Sequence, residues 1–244
     1  YPHHLTVSAG DLIGGTPLVS ALYLDEPTIE AMNRIGLDFN AAGNHEFDHG
    51  TDELLRKQAG GCQQHTARKP CQVEQFKGAE FEFLAANTLG ADGITLFPGL
   101  ALRKFGKGRR EVSVGVIGAT LTGTASLVSP DGIRGITFAD EADSINAAVV
   151  SLKQLGADAI VVLIHQGGRT TGAPNPQGCE ALSGAILPIL DRLDPRVDVV
   201  VSGHTHWSYV CDNALRDPAR PFLLTSAGVF GELVTDIRLS IDPA

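Results

Sequence analysis

Short apolar runs that stop on polar residues set the rhythm of this chain, and four of them share one form. They are Val7-Ser8-Ala9-Gly10-Asp11, Leu37 to Ala42 followed by Gly43-Asn44-His45-Glu46-Phe47-Asp48-His49-Gly50, Ile160 to Ile164 followed by His165, and Val199-Val200-Val201-Ser202-Gly203-His204-Thr205-His206. Each reads as a strand that hands over, at its carboxyl end, a residue able to bind a metal. Ligands of open α/β sheets collect beyond such ends, so the four can converge on one edge.

The rest of the pattern alternates strands with helices. A strand is expected over His4 to Ala9, a helix from about Pro27 to Ile35 stopped by Gly36, a strand over Asp38 to Ala42, and a short helix around Thr51 to Gln58. Phe81 to Ala86 and Glu111 to Ala119 read as further strands. Ile145, Ala148, Val149, Leu152 and Leu155 have the spacing of one buried helix face, which predicts a helix over Ser144 to Leu155. A strand over Ala159 to Ile164 follows, then a Gly, Thr and Pro-rich loop and a helix from about Glu180 to Leu193. Val197 to Val201 is so uniformly β-branched that burial on both faces is expected. Phe222 to Ser226 and Glu232 to Ile241 are predicted to pair as a closing hairpin.

Composition narrows the class. The chain has 244 residues, 43% hydrophobic and 19% charged, which suits one substantial α/β domain. No apolar stretch reaches the roughly 18 residues of a membrane span. A formal charge of -9 argues against a nucleic-acid polymer as partner. The one basic cluster, Arg103 to Arg110, reads as a solvated hairpin tip before the next strand. Cys62 and Cys71 bracket a polar loop, and with Cys179 and Cys211 the count is even without a Cys-x-x-Cys pair. Disulfides Cys62–Cys71 and Cys179–Cys211, and a periplasmic or secreted location, are expected; four buried thiols are the alternative.

Asp11, Asn44, His165, His204 and His206 form an N/O donor set suited to Mn, Fe, Co, Zn or Ni. A carboxylate has two oxygens, so Asp11 is the choice for a bridge between two divalent ions. Two such ions about 4 Å apart hold a hydroxide at neutral pH and clamp a phosphoryl group for in-line displacement.

Gly10-Asp11, Gly43-Asn44-His45-Glu46, His165 after its apolar strand, and Gly203-His204-Thr205-His206, in that order, resemble the calcineurin-like metallophosphoesterase family. Gly10-Asp11-Leu12-Ile13-Gly14-Gly15-Thr16-Pro17 with Gly43 to Asp48 is similar to the N-terminal metal domain of the secreted 5′-nucleotidases and their UDP-sugar hydrolase and cyclic-nucleotide phosphodiesterase relatives. The resemblance implies a mixed β-sheet sandwich flanked by helices, four-layer α/β/β/α, over residues 1–244. It implies Asp11 as bridge, Asn44, His165 and His204 on one metal and His206 on the other. It implies His45 facing the leaving-group oxygen, and Asp48 orienting His45. Glu46 more often braces this loop than binds metal, and His3, His4, His49 and His65 stand outside the ligand set.

These relatives open with a strand ending in Asp-x-His, a motif this chain lacks, so one of the two metal sites is expected to be incomplete. They also carry a C-terminal substrate domain beyond the matching stretch. The expected activity is nucleotide phosphoester hydrolysis, with 2′,3′-cyclic-nucleotide or 3′-nucleotide substrates as variants. A catalytically silent metal-binding domain is the reading from a different class.

Overall fold

The computed structural model describes residues 2–171 and 181–242. Its elements run β1 (Val7–Ser8), α1 (Leu18–Ala21), α2 (Glu26–Ile35), β2 (Phe39–Ala41), α3 (Thr51–Ala59), β3 (Glu82–Leu84), β4 (Thr88–Leu89), β5 (Leu100–Phe105) and β6 (Val112–Ala119). There follow β7 (Thr137–Phe138), α4 (Glu141–Gln154), β8 (Ala159–Ile164), α5 (Leu187–Leu190), β9 (Val199–Ser202), β10 (Ser208–Asp212) and β11 (Leu223–Ala227). The small sheet is parallel, in the order β1-β2-β3. The large sheet has six strands in the order β10-β11-β9-β8-β6-β5, parallel in its middle and antiparallel at both edges.

Three apolar cores separate four layers, and strand alternation explains them. Phe39, Ala41 and Leu84 of the small sheet meet Val114, Val116, Val161, Leu163 and Val199 of the large one. The alternate residues Ile117, Ile160, Val162, Ile164 and Val200 turn the other way, onto Ala142, Ile145, Val149 and Leu152 of α4. On the outer face of the small sheet, Phe83 and Ala85 pack with Ile29 of α2 and Leu54 of α3. The layers are therefore helix, sheet, sheet, helix, as expected, and β8 and β9 are buried on both faces because each lies inside the large sheet.

Local signals explain the helix limits. Asp140 caps α4, its carboxylate accepting the Asp143 amide at 2.9 Å. Gly36 ends α2 in the left-handed conformation, its amide donating to Met32 O at 3.1 Å. Of the five residues assigned to the α4 face, Leu155 is exposed, because it falls at the helix end just before Gly156, whose φ is +85°. The basic cluster does sit at a hairpin tip, between β5 and β6.

Three expectations are corrected. Glu232 to Ile241 forms no strand: β11 is already paired on both edges, with β9 on one side and β10 on the other. That segment instead lays Ile237 and Ile241 against the core between the sheets. The helix expected over Glu180 to Leu193 shrinks to Leu187–Leu190, and Glu180 lies outside the described residues. Gly184, at φ +117°, is not helical, Ser183 exchanges backbone hydrogen bonds with Arg169, and Pro188 has no amide to continue a ladder. The first strand covers Val7–Ser8 only. Before it, the Asp38 carboxylate takes the Thr6 amide at 2.9 Å in place of a strand partner.

Candidate metal centre

The two sheets present their carboxyl-end loops to one another. Asp11 follows β1 and Asn44 follows β2, both in the small sheet, while His165 follows β8 and His204 follows β9 in the large one. Metal-ligating atoms of Asp11, His165 and His204 all lie within 4.8 Å of one another. Asn44 Oδ1 joins them, 3.1 Å from His204 Nδ1, and the rings of His165 and His204 meet edge to face at 5.2 Å.

Glycine at each strand end allows this approach. A Cβ on Gly43 would stand 2.4 Å from Asp11 Oδ1, and one on Gly10 would stand 2.6 Å from His165 Nδ1. Asp11, His204 and His206 themselves have φ of 56°, 70° and 61°, a backbone region costly for residues with a Cβ. Such strain persists where the surroundings hold it, and it concentrates at functional sites.

The hydrogen bonds fix which atoms remain for a ligand. His165 Nδ1–H donates to the Ala9 carbonyl at 2.7 Å, so in the neutral ring the lone pair is on Nε2. Nε2 lies 2.9 Å from Asp11 Oδ2 but makes no aligned hydrogen bond. A buried nitrogen lone pair facing a carboxylate oxygen is repulsive unless a cation lies between them. Burial opposes charge on both groups. The close contact with the partner and its opposite charge outweigh it, pushing Asp11 below and His165 above its ordinary pKa. His204 is pushed down, by burial and then by the charge on His165, which keeps its ring neutral and ready to coordinate. Donor chemistry, orphaned lone pair and spacing all fit a divalent cation of the borderline series.

Glu46 is the brace that the loop pattern suggested. Its carboxylate takes the amides of Asp11 at 2.9 Å, Leu12 at 2.9 Å and Gly43 at 2.7 Å, and Asn40 Nδ2 at 3.0 Å. It thereby locks the two small-sheet loops together. Burial, followed by the neighbouring Asp11 charge, raises its pKa to about 7.

His45 stands at the rim, with 43% of its side chain exposed, and its Nδ1–H donates to Asp48 Oδ2 at 2.7 Å. Its own amide holds Asp11 Oδ1 at 2.8 Å, so the dyad is physically tied to the cluster. Burial tends to lower the His45 pKa, but the Asp48 hydrogen bond and the Asp11 charge carry it above the ordinary value. His206 is not among the side chains that share the cluster; its ring tilts against Phe230 at 5.7 Å. Trp207 Nε1 donates to Thr170 Oγ1 at 3.1 Å, joining the loops after β8 and β9.

Some contributors carried no readable signal. The Ala9 carbonyl that orients His165 is backbone, invisible in residue type. Asp25, buried and left-handed at φ 57°, takes the Gly14 amide at 3.0 Å and the Thr16 hydroxyl, shaping the loop beside His45. The Cys62–Cys71 disulfide is present. Cys211 is buried, and the expected partner Cys179 lies outside the described residues.

Comparison with known proteins identifies the family. The family model described as calcineurin-like phosphoesterase matches residues 1–208. The chain is 34% identical over 239 residues to the endonuclease YhcR of Bacillus subtilis, covering 98% of this chain and 18% of that protein. It is 31% identical over 205 residues to a 5′-nucleotidase of Vibrio cholerae, covering 82% of this chain and 32% of that protein. A putative 5′-nucleotidase from Staphylococcus aureus has the same fold, at TM-score 0.67 and 22% identity over 93% of this chain and 40% of that one. The chain thus spans about a third or less of the length of these curated relatives. With the family match over most of its length and its strand-end glycines, acid, amide and imidazoles gathered at one rim, the chain belongs to the calcineurin-like phosphoesterase family.

Proposed function

We propose that this chain carries the centre of a metal-dependent phosphoester hydrolase acting on nucleotides. The observation that carries the proposal is the convergence of Asp11, His165 and His204 beside the His45–Asp48 dyad. Asp11, Asn44, His165 and His204 would hold a divalent cation, with Asp11 and His206 available to a second one. Such cations, when bound, polarise a phosphoryl oxygen and lower the pKa of water so that it attacks at neutral pH.

The chain's own groups then divide the remaining work. Glu46 keeps the Asp11 and Asn44 loops in register through its four hydrogen bonds. Asp48 engages His45 Nδ1, which leaves Nε2 available to the leaving-group oxygen. A protonated His45 gives that oxygen its proton as the ester bond breaks, and the raised pKa keeps the ring protonated to higher pH. No covalent enzyme intermediate is required.

Nucleotides are favoured as substrates because the relatives include a 5′-nucleotidase and an endonuclease. The disulfide supports a periplasmic or extracellular setting. Hydrolysis of p-nitrophenyl phosphate with added Mn²⁺, abolished by chelator, is the expected result, with nucleoside 5′-monophosphates preferred in a panel including 2′,3′-cyclic nucleotides and single-stranded DNA. Absence of turnover in every member of that panel, with metal bound, would leave the silent metal-binding reading. That reading draws its support from His206, whose ring lies against Phe230 and not in the cluster.

A further inference from the structure

The loops that bring His165 and His204 come from neighbouring strands, and a directional chain of buried hydrogen bonds links those strands next to the candidate ligands. Ser202 Oγ has one proton and donates it to the Thr225 carbonyl at 2.9 Å. Its contact with Tyr209 Oη, at 2.6 Å, must then use the phenol proton, so Tyr209 donates to Ser202. Tyr209 Oη in turn accepts the Gly168 amide at 3.2 Å. The order Gly168 N–H to Tyr209 to Ser202 to Thr225 leaves no hydroxyl free to rotate. Tyr209 is fully buried, and its ring belongs to the core beneath the large sheet.

Two members of this chain are close in sequence to a candidate metal ligand. Ser202 ends β9 two residues before His204, and Gly168 stands three residues after His165. The two loops also touch above it: Thr205 Oγ1 donates to the Gly168 carbonyl at 2.7 Å, and a Cβ on Gly167 would stand 2.2 Å from the Gly203 carbonyl. A phenol in an otherwise apolar core needs its hydroxyl partnered, and here its partners include Gly168, after β8, and Ser202, at the end of β9.

We propose that Tyr209 is a positioning residue for the metal centre, acting through Gly168 and Ser202 to hold His165 and His204 at coordinating separation. It rests on the metal-site reading above. Removing the hydroxyl leaves the Gly168 amide and one Ser202 lone pair buried without that partner, and the two loops lose their shared anchor. Supporting groups of this kind commonly tune metal affinity by about 10- to 100-fold.

The test is Mn²⁺ binding to the metal-stripped chain by calorimetry, with the thermal midpoint of the metal-free protein measured alongside. Tyr209→Phe is expected to weaken Mn²⁺ binding by about 10-fold or more, and Ser202→Ala to weaken it in the same direction without adding fully to the double variant. Phe222→Leu, in the same core cluster but remote from these loops, is the control for lost packing; it is expected to lower the thermal midpoint and leave Mn²⁺ affinity unchanged. Equal Mn²⁺ affinity in Tyr209→Phe and wild type overturns the proposal while leaving the metal centre standing. So does an equal loss of affinity in Phe222→Leu. Wild-type protein that binds no Mn²⁺ overturns both.

Discussion

At the scale of single residues, the two nitrogens of an imidazole decide what each histidine can do. His165 gives Nδ1–H to a carbonyl and aims Nε2 at a carboxylate, which suits coordination; His45 gives Nδ1–H to Asp48 and leaves Nε2 at the rim, which suits proton transfer. Replacing His45 by Ala is therefore expected to cut the rate of p-nitrophenyl phosphate hydrolysis by about 10²-fold while Mn²⁺ content stays at the wild-type level. Asp48→Asn keeps the hydrogen-bonding shape but loses the charge that favours the imidazolium, and should give an intermediate rate. An unchanged rate in His45→Ala removes that ring from the reaction. That Asp11, His165 and His204 come together was legible because a polar residue just after a strand end gains nothing for packing. The Ala9 carbonyl and the Tyr209 hydroxyl were not, since one is backbone and the other is a phenol in an apolar strand whose partners are long-range.

At the scale of elements, the disulfide loop is fastened to the helices over the small sheet by a compact set of buried charges. Arg56 of α3 pairs with Glu26 of α2 at 2.8 Å and Glu53 at 2.6 Å, and donates to the Gly61 carbonyl at 2.7 Å. Lys57 also pairs with Glu53, and Cys71 gives its amide to the Glu26 carboxylate at 3.1 Å. Burial works against the Glu53 charge, but hydrogen bonds from Arg56 and Lys57 outweigh it and hold its pKa below the ordinary 4.5. A carboxyl lowered in the folded state adds stability that is present above its unfolded pKa and lost as pH falls through the folded value. Glu53→Gln should thus cost about 3 kcal/mol at neutral pH, because two buried cations lose a partner. It should also flatten the acid side of the urea-midpoint profile; a wild-type-like loss below the ordinary carboxyl pKa would assign that loss elsewhere. Replacing Cys62 and Cys71 together by Ala removes a cross-link of separation 9 and is expected to cost roughly 2–3 kcal/mol, leaving Mn²⁺ affinity intact. The central strands and α4 were readable because their periodicity is local. The closing hairpin was misread because alternation in 232–241 says nothing of which strand edges are already taken, and Ser208–Asp212 occupies the edge that hairpin would need.

At the scale of the whole molecule, the candidate ligands do not come from one sheet. Asp11 and Asn44 belong to the small sheet, His165 and His204 to the large one, and the apolar core between the sheets ends beneath them. A cation held at this rim would consequently cross-link the two halves of the sandwich as well as serve as a reagent, and would favour the folded chain, where these side chains meet. By mass action, free Mn²⁺ at 100 times its Kd stabilises the fold by about 2.7 kcal/mol. For a chain of this size that corresponds to a rise of roughly 5–10 °C in Tm. His165→Ala should abolish the rise, whereas His45→Ala, which removes no ligand, should keep it. Hydrogen exchange adds the spatial half of the argument: Mn²⁺ is expected to protect amides at the ends of both β1–β2 and β8–β9. Protection confined to one sheet would mean that the cation sits on that sheet alone and that the acid and the imidazoles do not share it.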